Sequence, residues 1–125
     1  MHSTMLLAVG SAVPILWGVA HIIPTHAVVA GFGTLSQDNR RILTMEWVAE
    51  GLALIYLGAL PGLVLLVGPG EGAAPLVFRG AAVALLVMAG WTAITGARTS
   101  ITAIRFCPIV KTLAAICLLL GSLHP

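Results

Sequence analysis

Apolar residues gather in four runs along the chain, at about residues 5–23, 43–67, 76–97 and 101–123. Each run holds 19 to 25 residues, and about 20 helical residues cross a hydrocarbon core roughly 30 Å thick. None alternates apolar and polar residues with period two, as the wall of a β-barrel would. A helix satisfies its own backbone hydrogen bonds, which lipid cannot do. The pattern therefore predicts an all-α, integral-membrane four-helix bundle occupying residues 1–125 as a single domain.

The breaks between runs refine this expectation. Gly68-Pro69-Gly70-Glu71-Gly72 interrupts the chain between the second and third helices. Arg98-Thr99-Ser100 joins the third to the fourth. So short a link makes those two helices antiparallel neighbours, and Thr99 or Ser100 is placed to cap the fourth. The first connection is longer. Pro24, Thr25 and His26 are followed by an apolar stretch containing Gly31-Phe32-Gly33, then by the polar run Ser36-Gln37-Asp38-Asn39-Arg40-Arg41. Residues 27–35 are too apolar for a plain aqueous loop and predict an interfacial or re-entrant segment.

Composition agrees with the pattern. Of 125 residues, 59% are hydrophobic and 8% charged, with a mean hydropathy of +1.08. A soluble domain carries about 25% charge, so this chain cannot cover a compact surface with polar groups. Disorder needs the opposite balance. The net charge is +2, and no basic run is longer than Arg40-Arg41. This excludes a phosphate-tracking patch and with it a nucleic-acid partner. The first run lacks the basic leader and the small-x-small site of a cleaved signal peptide, so it is read as a retained helix. Cys107 and Cys117 stand ten residues apart in one helix, about 15 Å along its axis, too far for a disulfide.

Lys and Arg near helix ends set orientation. Arg40, Arg41, Arg98 and Arg105 fall on one side and Arg79 on the other. This predicts a multi-pass protein of the cytoplasmic membrane. The first and third connections would face the cytoplasm and both termini the outside. Small residues recur four apart at Ala8/Ala12, Ala49/Ala53, Gly58/Gly62, Gly80/Ala84, Ala89/Ala93/Ala97 and Ala103/Cys107. Such spacing lets helices approach closely, within one bundle or across a homodimer. Pro14, Pro61 and Pro108 lie within helices, where proline produces kinks.

Charge inside the apolar runs is the feature that composition does not explain. Glu46 and Glu50 share one face of the second helix, about 5 and 11 Å from its apolar start. His21 ends the first helix, with Trp17 one turn before it. Arg105 and Lys111 enter the fourth by about 6 and 15 Å. Thr92, Thr95 and Trp91 approach the same end from the third, and Trp47 adjoins Glu46. A charge at mid-bilayer costs on the order of 2.5–3.5 kcal/mol. The second helix tolerates two carboxylates because eight Leu, one Ile and three Val drive its insertion. Opposite charges at one depth are expected to turn inward and pair. The blander reading is that Arg105 and Lys111 reach back to the interface, that His21 hydrogen-bonds there, and that Trp17, Trp47 and Trp91 are packing or belt residues.

Gly31-Phe32-Gly33 lacks the remainder of a phosphate-binding fingerprint, and no cofactor motif is present. His21, His26 and Glu46 have the residue types of a two-histidine, one-carboxylate metal site, but Pro24 separates the two histidines from one helical face, and no metal is assigned. His2, His26 and His124 are read as terminal or interfacial. In length and helix count the chain resembles the small multidrug-resistance transporters, which also use an embedded carboxylate. That family carries its essential Glu in the first helix, where this chain has none, so no residue is carried over.

Three readings follow. In the first, an intramembrane site binds a small lipophilic ligand. Glu50, Glu46 and His21 would be its acid–base groups, and Trp17, Trp47, Trp91, Thr95, Arg105 and Lys111 its ligand-binding residues. In the second, a homodimer couples transport to proton exchange at Glu50. In the third, the protein is a structural or accessory membrane subunit, and its charges pair only to set helix register.

Overall fold

The computed structural model describes residues 2–68 and 72–123. It is helical throughout: α1 (His2–Ile22), α2 (Thr25–Ala30), α3 (Gln37–Val67), α4 (Ala74–Thr95) and α5 (Thr102–Gly121). The four long helices are each long and apolar enough to cross a membrane. Pro69, Gly70 and Glu71 of the expected break lie outside the described residues, as does His124.

α3 starts six residues before its apolar run. Ser36 caps it by accepting a hydrogen bond from the Asn39 backbone N–H. Asp38 sits in the first turn, where a carboxylate favours the helix dipole. The polar stretch once read as loop is therefore helix, and α3 has 31 residues, about 46 Å at 1.5 Å per residue. The segment at 27–35 resolves into the end of α2 and an open turn that passes through Gly33 at φ +77°. α2 buries Val29 and leaves Phe32, just beyond it, exposed. The cap expected for α5 is absent: Ile101 occupies that position, and no side chain bonds the first turn.

The long helices form a ring in the order α1, α3, α4, α5. α1 packs closely on α3, while α3 and α4 touch least. The closest approaches use small residues. A Cβ on Gly58 would collide with the Ser11 carbonyl oxygen and the Ile15 side chain, and one on Gly18 with the Gly51 carbonyl oxygen. On α3, Gly51, Leu54, Gly58 and Pro61 form the buried stripe. On α1 it is Leu7, Gly10, Ser11, Pro14 and Gly18. These stripes differ from the expected four-residue pairs. Ala8, Ala12, Ala49, Gly80, Ala93 and Ala103 are exposed, because the seam follows spacings of three, four and seven rather than strict fours.

The ring is filled along its axis at one end, where an open groove of about 360 Å³ remains between α3 and α4 against Val64, Val67, Ala74 and Val77, and hollow at the other. Leu7, Leu54, Phe78, Ala82, Leu85, Ala115 and Leu118 fill the packed end. There Arg79 reaches from α4 to the end of α5, donating from Nε to Ser122 Oγ (3.3 Å) and from Nη2 to the Ser122 carbonyl (3.4 Å). That covers a carbonyl which the helix end leaves free. The end bearing α2 holds the cavities described below.

The seam can be tested by glycine-to-alanine substitution. Gly58→Ala should cost about 1–3 kcal/mol by overpacking against backbone. Gly90→Ala, where a Cβ meets nothing within 4 Å, should be neutral or stabilising by up to about 1 kcal/mol. Denaturant titration of the purified protein in detergent would show the difference. Equal effects would mean that α1 and α3 do not meet at Gly58.

Candidate functional site

One side chain from each long helix meets near the axis of the ring. Lys111 lies halfway along α5, with its side chain 1% exposed. Its Nζ donates to Glu50 Oε1 at 2.5 Å and to Thr92 Oγ1 at 2.8 Å. Thr92 passes its own hydroxyl hydrogen one turn back to the Met88 carbonyl at 2.8 Å, which turns its lone pairs towards the ammonium. Glu50 Oε2 faces His21 Nε2 at 3.7 Å. α1 thus contributes His21, α3 Glu50, α4 Thr92 and α5 Lys111. The ion pair spans the diagonal of the ring, between α3 and α5, which have no extended contact of their own.

His21 is held from two sides. Its ring stacks on Trp47 with centroids 4.0 Å apart and planes 14° from parallel. The Trp47 indole N–H donates to the His21 carbonyl at 2.8 Å, satisfying a group that the end of α1 leaves free. Trp17 donates from Nε1 to Cys107 Sγ at 3.2 Å. His21 Nε2 is buried and has no hydrogen-bond partner.

Two adjoining spaces meet at Glu50. The larger, about 590 Å³, opens sideways between α3 and α4. Its rim carries Glu46, Trp91 and Thr95, with Val28 and Phe32 on the α2 side. The smaller, about 380 Å³, is more enclosed and runs beneath α2 against Trp17, His21, Ile104 and Cys107. Val28, Trp47, Glu50, Thr92 and Ile104 line both. The walls are apolar and aromatic apart from the cluster itself. Glu50 keeps a third of its side chain exposed, so the carboxylate presents one edge to the spaces and the other to Lys111.

The expected site residues separate into three groups. Glu50, Lys111, His21 and Trp47 come together, and Trp17 lies beside them on the smaller cavity. Glu46, Trp91 and Thr95 stand on the rim of the larger cleft. The Glu46 carboxylate makes no ion pair among the described residues, and Thr95 turns its hydroxyl to the Trp91 carbonyl. Arg105 is exposed and lines neither space. Arg105 stands two residues before Cys107 and six before Lys111, which at about 3.6 residues per turn puts it on the other side of α5 from that buried face. Among the described residues no three His, Cys, Asp or Glu side chains gather as a metal site would require.

Thr92 as the second partner of Lys111, Cys107 as the acceptor for Trp17, and α2 as a wall are additions from the structure. Thr92 had a signal in the sequence, since it approaches from the third apolar run the same end of the bundle that Lys111 approaches from the fourth.

No protein-family model matches the chain, and no curated protein or solved structure matches it either.

The difference in burial predicts an asymmetry. Glu50→Gln strands a fully buried ammonium and should cost about 3–5 kcal/mol. Lys111→Met strands a carboxylate that is one-third exposed and should cost about 1–3 kcal/mol. The double variant should cost less than the two added together. Unfolding titrations of all three would show it, and strict additivity would mean that the two groups do not interact.

Proposed function

We propose that this is a small multi-pass membrane protein that binds a small lipophilic molecule between its helices, with Glu50 as the polar anchor. The observation that carries this reading is the position of one carboxylate at the junction of two apolar spaces, with a buried lysine holding its far oxygen. A pair serving only to set helix register would be favoured by complete burial of both partners. Here the acid is left partly uncovered and the base is not. Cofactor-free proton exchange with a bound molecule suits this group. Glu50 takes and returns a proton, Lys111 stabilises its charged form, and His21 stands on the side away from Lys111 as a relay. Glu46, on the rim, acts on the ligand's approach, and Trp47 and Trp91 supply flat apolar faces.

The accompanying topology is antiparallel between neighbouring helices. In its support, Gly18 meets Gly51 while Ser11 meets Gly58, and Thr92 meets Lys111 while Arg79 meets Ser122. Arg40, Arg41, Arg98 and Arg105 belong to the hollow end and Arg79 to the packed end, which favours a cytoplasmic hollow end. α2 then lies at that interface as a strap over the smaller cavity.

Bromobenzene is a suitable first probe, because bromine quenches indole fluorescence on contact. In a Trp91→Phe background in lipid nanodiscs, Trp17 and Trp47 should show a saturable component of quenching. Val28→Phe or Ile104→Phe, which fill the shared wall, should weaken it about tenfold. Quenching that rises linearly with probe and ignores both substitutions would refute a binding site.

A further inference from the structure

The chemistry of the ligand's polar end can be taken one step further, resting on the reading above that the cleft takes a lipophile. His21 Nε2 is the starting point. The His21 side chain is 9% exposed, lines the smaller cavity, and has a buried ring nitrogen without a hydrogen-bond partner. A buried polar atom without a partner is left unsatisfied at a cost to the fold. Its nearest polar neighbour, Glu50 Oε2, stands 3.7 Å away, beyond hydrogen-bond reach. The gap is set by the stack of the His21 ring on Trp47 and by Lys111, which draws Glu50 by its other oxygen.

We propose that the ligand's polar end is a hydroxyl group seated between His21 Nε2 and Glu50 Oε2, so that the site takes a lipophilic alcohol or phenol. An oxygen about 2.8 Å from both atoms bridges a gap of 3.7 Å from a point about 2 Å beside the line that joins them, and a small turn of the buried His21 ring brings Nε2 to it. The two partners call for different behaviour. An ionised carboxylate only accepts, and an imidazole protonated on Nε2 donates there. A hydroxyl does both at one atom: it donates to Glu50 and accepts from His21. An ether or carbonyl oxygen leaves the carboxylate unanswered, and an ammonium leaves the imidazole N–H unanswered. The remainder of the ligand lies against Trp17, Ile104 and Cys107, in a space of about 380 Å³ that accommodates a substituted ring or a short chain.

Three probes of nearly equal size test this: 4-bromophenol, 4-bromotoluene and 4-bromobenzylamine. Each is titrated into the Trp91→Phe protein in nanodiscs while quenching of Trp17 and Trp47 is followed. The phenol should saturate with an apparent Kd about tenfold below that of the toluene, as expected for two added hydrogen bonds. His21→Phe, which keeps the stack on Trp47, should remove that preference, so that phenol and toluene bind this variant with the same apparent Kd. His21→Gln, which restores a donor, should recover part of it. These variants act on His21 alone and leave the Glu50–Lys111 pair in place. Equal saturable binding of phenol and toluene overturns the hydroxyl assignment and leaves the lipophile site standing. Preference for the amine also overturns it. Absence of saturable binding by all three overturns both.

Discussion

The ammonium of Lys111, buried at the middle of an apolar helix, is the constraint around which the hollow half of the protein is arranged. Water is not there to solvate it, and the helices alone offer it nothing. Its charge is met by Glu50 and its hydrogen-bonding capacity shared with Thr92. Because the pair crosses the diagonal of the ring, one contact positions α3 against α5, and Thr92 draws in α4. Replacing such a pair by well-packed apolar residues often stabilises a protein. Here the pair adjoins empty space, with an unsatisfied imidazole on its far side. That opening is what the proposed site rests on.

Rigidity comes from a helix seam that runs from the packed end into the hollow one. The α1–α3 seam brings backbone against backbone at Gly18, Gly51 and Gly58, which leaves few side chains there with freedom to move. Prolines at Pro14 and Pro61 are buried along the same seam and add a fixed backbone geometry. Close packing on that side and sparse contact between α3 and α4 are complementary. The first holds His21 and Glu50 at a constant separation, and the second leaves room beside them.

Much of this was legible in the chain, and the exceptions have identifiable causes. The four spans follow from hydropathy alone, because hydrocarbon imposes both length and composition. The pairing of Glu50 with Lys111 follows from the cost of isolated charge. The start of α3 was misplaced because hydropathy marks where the membrane begins, whereas the helix begins at its cap, Ser36. Of the four-residue pairs, Gly58/Gly62 faces α1 at Ser11, whereas Ala8, Ala12, Ala49, Gly80, Ala93 and Ala103 are exposed, because alanine and glycine are abundant throughout this chain and such pairs arise outside as readily as inside. Arg105 was grouped with Lys111 by depth, but depth does not specify azimuth around a helix. The contact of Cys107 with Trp17 has no signal in the sequence, because a thiol is a weak acceptor and the two residues stand ninety positions apart.

The sideways mouth between α3 and α4 has a consequence for how any occupant is supplied. A molecule reaching Glu50 by that route leaves the acyl-chain region directly and never crosses bulk solvent. The quantity that fills the cleft is then its mole fraction in the bilayer, set by its oil–water partition coefficient. With the aqueous pool in excess, two compounds with the same intrinsic fit would differ in apparent potency by the ratio of those coefficients.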